Sequence, residues 1–241
     1  MSTTGDTTNS TTGELSGVAF DWRTAQWKGS QKRYAAEHVE ASFGFAHDYV
    51  TRVLGLSATT TVVRPYETYR RTQTRAVSID SKTIEIYFTH DEIKHRKLGA
   101  IDQEVTTALA HEMIHGMREV VFPYGAGGII ERIASEGLAY MAQAYAEIDI
   151  FDAPRSTTVL HDTIPAHDLL SELYNEPHFD TDLDKHPAGE ADLKSWMNDR
   201  YGRPYSWGQR LGVHCVKDMI EEHGHDFSGL IHMTAQDIIG I

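Results

Sequence analysis

The sequence is poor in cysteine and has no long apolar run. Cys215 is the single cysteine among 241 residues. One cysteine cannot form an internal disulfide, and such a composition suits a reducing compartment. A run of about 18 apolar residues is absent, and so is an N-terminal basic segment followed by an apolar one. We therefore expect a cytoplasmic protein without a signal peptide or a transmembrane helix.

Positive charge is also scarce. There are 22 lysines and arginines against 35 aspartates and glutamates, a formal net charge of -13, and the basic residues form no block. This balance argues against nucleic acid or an anionic membrane surface as the main partner. The chain is long enough for one sizeable core, so we expect one domain over residues 18–241. Residues 1–17 are rich in Ser, Thr and Gly, and we expect a disordered tail there because ordering them would bury little apolar surface.

The remaining sequence alternates between helical and strand patterns. Apolar residues recur at helical spacing, while β-branched and aromatic residues cluster in segments typical of strands. Helices are predicted at 31–56, 103–120, 129–148 and 206–223, and strands around 59–67 and 81–90. These elements predict an α+β fold with a small mixed sheet. The sheet lies in a lobe of about 18–120, followed by a mainly helical lobe of about 121–241.

The strongest chemical signal is the run His111-Glu112-Met113-Ile114-His115 in the middle of the predicted helix 103–120. Residues four apart lie only about 40° apart around a helix, so both imidazoles can reach one metal ion. Glu112 lies on the same side and can contact a water at the metal without binding the metal itself. The run therefore predicts two metal ligands, His111 and His115, and a general base, Glu112. The competing interpretation is a chance pattern in a chain with 14 histidines.

A catalytic zinc ion takes three protein ligands, so a third ligand is needed. Glu136 lies in the next predicted helix, and its neighbours Leu138 and Ala139 argue against a fully exposed face. We expect Glu136 to be the third ligand, while a solvated helix carboxylate is the alternative. A scheme with a third histidine six residues after His115 is excluded because Val121 occupies that place.

These motifs resemble those of the gluzincins, the thermolysin-like zinc peptidases. ALAHEMIHGMREV followed by SEGLAYMAQAY is more closely similar to a family of predicted zinc-dependent proteases with HExxH followed by SEGLA. The resemblance covers chiefly residues 101–145, with a fainter similarity in WGQRLGVHCVKDM. It implies a zincin-like fold, Zn²⁺ and a peptide or protein substrate. The sequence departs from the pattern at Tyr140, where thermolysin-like enzymes have Asp, and at Gln209, where the family usually has Tyr.

Peptide hydrolysis also needs a donor to the developing oxyanion, commonly a Tyr or His outside the metal motif. The candidates are Tyr205, just before the segment of fainter similarity, and His214 within it. The alternating strand TIEIYFTH could be a sheet edge that aligns an extended peptide, or an ordinary core strand. The sequence thus predicts a zinc-dependent peptidase. The alternative is a catalytically silent zinc-binding module that recognises a partner peptide, and the oligomeric state stays open.

Overall fold

The computed structural model describes residues 17–24, 26–68, 75–99, 102–123, 127–152, 164, 166–175, 196–197 and 207–240. The protein is α+β in these ranges. Its helices are α1 (Ser30–Asp48), α2 (His90–Lys94), α3 (Gln103–Val121), α4 (Gly128–Phe151), α5 (Ala166–Tyr174), α6 (Trp207–Glu221), α7 (Phe227–His232) and α8 (Ala235–Ile239). A π-helical turn, Tyr49–Val53, extends α1.

The sheet is small and mixed. Its strands are β1 (Ala19–Phe20), β2 (Val62–Thr68), β3 (Ala76–Asp80) and β4 (Thr83–Thr89), in the order β1-β2-β4-β3. β1, β2 and β4 run parallel, whereas β3 pairs with β4 antiparallel. Ile84, Ile86 and Phe88 alternate with half-buried neighbours and bury one face of β4 in the core. β3 is therefore an edge strand, and it packs beside α3.

Helix starts follow local capping chemistry. The side chain of Asp102 accepts a hydrogen bond from the backbone N–H of Val105 and so begins α3. Thr89 and Glu92 form a reciprocal capping box at the start of α2. This box ends β4 at Thr89, so the predicted strand segment 81–90 extends one residue too far at its end, and it also begins two residues before Thr83.

The helices pack closely where glycine allows it. α4 lies between α3 and α6. A Cβ at Gly137 would lie 2.3 Å from the backbone of Gly212, so α4 and α6 touch backbone to backbone at these two residues. A Cβ at Gly116 would lie 3.1 Å from the carbonyl oxygen of Ser81, which places the β3–β4 turn directly on α3. The HExxH helix is thereby fixed between the sheet and α4.

The α+β class, the small mixed sheet and the four predicted helices are confirmed in the described ranges. The idea that TIEIYFTH forms a sheet edge is wrong, because β4 pairs with β2 on one side and with β3 on the other. β3 was not predicted, since its five residues AVSID show little strand patterning. The predicted tail at 1–17 lies outside the described residues except for Gly17. No described helix is both long and apolar enough to cross a membrane.

Candidate functional site

The three predicted metal ligands come together between α3 and α4. Nε2 of His111 and Nε2 of His115 lie 3.1 Å apart. Oε1 of Glu136 lies 3.6 Å from Nε2 of His115, and Oε2 lies 3.8 Å from Nε2 of His111. One turn of α3 therefore faces one carboxylate of α4, and the candidate ligand atoms of all three side chains lie within 4.8 Å of one another.

The cluster of His111, His115 and Glu136 is buried. The side chains of the three residues are only 8 to 11% exposed. Burial lowers the pKa of His111 to about 3, and the neighbouring charge of His115 adds to that shift. Burial, together with the charge of Arg132, also lowers the pKa of His115 to about 3. Both imidazoles are therefore neutral near pH 7, which is the form that binds metal ions.

The separations suit a tetrahedral metal ion. Donor atoms at about 2.0 to 2.2 Å from such an ion lie roughly 3.3 to 3.6 Å from one another. The observed separations of 3.1, 3.6 and 3.8 Å bracket that value. Two neutral imidazole nitrogens and a carboxylate oxygen are also a common donor set for zinc. The three residues thus fit a metal ion such as Zn²⁺, while the geometry by itself does not select one divalent metal.

Glu112 lies beside the triad and is held by the sheet. Its Oε2 accepts a hydrogen bond from the backbone N–H of Ser78 in β3, at 2.6 Å. Burial raises the pKa of Glu112 to about 8, the Ser78 hydrogen bond opposes this rise, and the charge of Glu136 adds to it. A carboxyl group whose pKa lies near neutrality can both accept and return a proton, which is what a general base requires.

Helix α4 also supplies contacts to each of the three candidate ligands. Oγ of Ser135 lies 2.8 Å from Nδ1 of His115, a hydrogen bond that lets Nδ1 carry the proton and leaves the Nε2 lone pair facing the cluster. Nη2 of Arg132 lies 3.1 Å from Oε1 of Glu136. The ring of Tyr140 packs edge-on against His111, with ring centroids 4.6 Å apart. One face of α4 therefore orients the whole cluster.

His111 is less firmly oriented than His115. Its Nδ1 is buried and has no hydrogen-bond partner in the described part of the chain. The side chain of Gln143 on α4 raises the pKa of His111, so it lies near the ring, but outside hydrogen-bond geometry with Nδ1. His111 therefore has Tyr140, Gln143 and His115 as neighbours but no partner at Nδ1, whereas Nδ1 of His115 has the hydroxyl of Ser135.

The two predicted oxyanion donors have different outcomes. Tyr205 lies outside the described residues. His214 lies on α6, is 42% exposed, and its Nε2 is 3.5 Å from Asp218 one turn later. It is not part of the candidate metal-binding triad, and its proposed role stays a prediction.

Sequence reasoning gave no role to Ser78, Ser135, Arg132 or Tyr140. Tyr140 was noted only because it replaces an Asp, yet burial and the charges of Glu136 and Glu112 raise its pKa to about 12, and Gln209 hydrogen-bonds to it. Helical spacing could have suggested Arg132 and Tyr140, because positions four before and four after Glu136 lie on its face. No local pattern could have suggested Ser78, which meets Glu112 only through the packing of β3 on α3.

Comparisons with protein-family models, with curated proteins and with solved structures found no match for this chain.

Proposed function

We propose that this protein is a zinc-dependent peptidase that hydrolyses peptide bonds with Glu112 as general base. The observation that supports this most is the convergence of His111, His115 and Glu136 in a buried cluster with the Glu112 carboxylate beside it. A structural role alone does not require a buried carboxyl group next to the triad. The proposal places the chain with the gluzincin-type peptidases that its motifs resemble.

The fold supports the same proposal at a coarser level. In a zincin-like arrangement, a mixed sheet lies over the helix that carries the metal ligands. Here β3 is the antiparallel edge strand, and it packs on α3. β3, rather than β4, is therefore the strand along which we expect an extended peptide to align.

The chain's own groups suggest how the reaction would proceed. A zinc ion bound by the three residues would lower the pKa of a water molecule and polarise the substrate carbonyl. Glu112 would accept a proton from the attacking water and return it to the nitrogen of the leaving amine. The Ser78 N–H holds the Glu112 carboxylate in place, so that little motion is needed before proton transfer.

The test combines metal analysis with one conservative substitution. We expect the purified protein to contain zinc at one equivalent and to cleave members of a peptide panel. Glu112→Gln should keep the zinc and lower the rate by about 10²- to 10⁴-fold, because the proton-transferring group is lost. Glu119→Gln, a half-buried glutamate on the same helix, is the matched control and should keep full activity.

Three results would contradict the proposal in different ways. Unchanged turnover in Glu112→Gln would show that Glu112 is not the general base. Zinc without cleavage of any peptide by the unmodified protein would favour a catalytically silent zinc-binding module. Absence of bound metal after purification in zinc-containing buffer would make the HExxH run a chance pattern.

A further inference from the structure

Arg132 lies at the boundary between the buried triad and solvent. It is one helical turn before Glu136 on α4, and its Nη2 lies 3.1 Å from Oε1 of Glu136. The Arg132 side chain is 31% exposed, whereas that of Glu136 is 8% exposed. A molecule that approaches the triad therefore meets a positive charge at its edge.

The same guanidinium acts on the rest of the site. Its charge lowers the pKa of His115, Glu112, His111 and Tyr140. Such interactions require proximity, so Arg132 is close to the candidate ligands and also to the candidate base. This local positive charge contrasts with the formal net charge of -13 for the whole chain.

An arginine that already contacts one carboxylate can hold another. Arg75 does so in this protein, where its Nη2 lies 2.7 Å from Glu92 and 3.2 Å from Glu104. The planar guanidinium presents five N–H donors in a fixed geometry that matches carboxylates. Binding of a divalent metal would also draw on the negative charge of Glu136, which leaves more of the Arg132 charge to attract a second anion.

We propose that Arg132 binds a carboxylate of the substrate next to the scissile amide and is a specificity-determining residue of this site. The inference rests on the proposed peptidase function. It implies a preference for peptides with a negative charge beside the bond that is cleaved. That charge is either the C-terminal carboxylate of the peptide or the side chain of an Asp or Glu residue.

Binding of two pairs of peptide hydroxamates to the zinc-loaded full chain tests the proposal without turnover. In the first pair only the C-terminus differs, carboxylate against amide. In the second pair, which is amide-capped, a Glu next to the hydroxamate is replaced by Gln. We expect calorimetry to give about tenfold or tighter binding of the charged member in one pair. The pair that discriminates identifies the source of the carboxylate.

Substitution of Arg132 should abolish that discrimination. In Arg132→Gln, measured in excess zinc, the ratio of the two dissociation constants should fall to about one. Arg52→Gln, at a 79% exposed arginine on the π-helical turn after α1, is the control and should keep the ratio. If Arg132→Gln does not fold, Arg132→Lys replaces it. That variant should reduce the ratio at least about threefold, because lysine lacks the two parallel N–H groups.

The outcomes separate this inference from the proposed function. Equal binding within both pairs by the unmodified protein would overturn the inference, as would a ratio that survives in Arg132→Gln or is unchanged in Arg132→Lys. If Arg132→Gln weakens all four hydroxamates equally, Arg132 only orients Glu136, and the inference is also overturned. If the ratio depends on Arg132 but no peptide is cleaved, anion recognition stands and the peptidase proposal fails.

Discussion

Two buried polar clusters join α3 to α4, and they differ in how completely their members satisfy one another. In the first, Arg118 is fully buried, and its Nε and Nη2 donate to the two carboxylate oxygens of Glu131 at 2.7 and 2.8 Å. Its Nη1 donates to the carbonyl oxygens of Leu230, Ile231 and Met233 at the end of α7. In the second cluster, Nε2 of His111 and Nε2 of His115 lie 3.1 Å apart and face the carboxylate of Glu136, whose cationic partner Arg132 is partly exposed.

The difference separates a structural cluster from a candidate binding site. Arg118 and Glu131 have opposite charges and well-formed hydrogen bonds, so nothing further is needed to offset their burial. The triad of His111, His115 and Glu136 holds its candidate ligand atoms 3.1 to 3.8 Å apart, and Arg132 contacts Glu136 from the more exposed edge of the cluster. A cation bound by all three side chains would offset the burial of these ligand atoms.

The largest expected effect is a loss of stability when the ion pair of Arg118 and Glu131 is broken. Glu131→Ala should lower the free energy of unfolding of the metal-free protein by about 3 to 5 kcal/mol, because Arg118 would stay buried without its counter-charge. Urea denaturation measures this change. The double variant Arg118→Met with Glu131→Leu should recover much of the loss, since a buried ion pair can be replaced by apolar side chains. A midpoint for Glu131→Ala equal to that of the unmodified protein would mean that the pair is not structural.

Glu136→Ala should instead weaken zinc binding strongly and leave the stability of the metal-free protein almost unchanged. Zinc affinity should fall at least about 100-fold, or about 2.7 kcal/mol, because loss of an outer contact alone often weakens binding 10- to 100-fold. The free energy of unfolding of the metal-free variant should change by less than about 1 kcal/mol. Competition with a chelator measures the first quantity and urea denaturation the second. Glu119→Ala is the control for both measurements. Full zinc retention in Glu136→Ala would mean that a residue other than Glu136 is the third ligand.

A third ionic cluster, in which Arg75 contacts Glu92 and Glu104, predicts how stability depends on pH. Burial raises the pKa of Glu92, but hydrogen bonds from Arg75 and from the Thr89 backbone outweigh it and lower that pKa to about 2. The folded-state pKa is below the ordinary value of 4.5, so the stabilisation is present above about pH 4.5 and is lost as the pH falls towards 2. We expect a loss of about 2 kcal/mol after allowance for partial solvent screening. In Glu92→Gln this part of the acid dependence should be absent.

The smallest effect concerns the hydroxyl that orients one ligand. Ser135→Ala should weaken zinc binding about tenfold, because Nδ1 of His115 would lose its partner and the ring its fixed orientation. Chelator competition measures the change, and the fold should be unaffected. Ser135→Thr keeps a hydroxyl group and should retain most of the affinity. Equal losses in both variants would show that packing, rather than the hydrogen bond, matters at this position.

Much of the fold was predictable because its signals are local. The α3 pattern gave a helix at 103–120, and the structure has Gln103–Val121. The cap that begins this helix is equally local, because the side chain of Asp102 accepts a hydrogen bond from the backbone N–H of Val105 three residues later. β3 and the position of β4 inside the sheet were missed, because strand order depends on contacts between distant segments and leaves no periodic trace in the sequence.

In the candidate site, too, local patterns predicted some residues, whereas the contacts between helices were not predictable. The pairing of Glu131 with Arg118 was not predicted, because nothing near either residue in the sequence reveals its partner. Glu136 was predicted as a ligand from the helix that follows the HExxH run, but its distance to the histidines is set by how α3 packs on α4. The arrangement of Ser135 opposite His115 depends on the same packing.

The sequence by itself determined that His111, Glu112 and His115 lie on one side of a helix, because residue spacing on a helix is fixed by its geometry. It also determined the order of the helices and the excess of negative charge. Only the tertiary structure decided which carboxylate meets the histidines, which one instead neutralises Arg118, and that Ser78 and Arg132 border the site. These choices depend on the packing of helices and strands far apart in the chain, including close contacts at Gly116 between α3 and the β3–β4 turn and at Gly137 and Gly212 between α4 and α6.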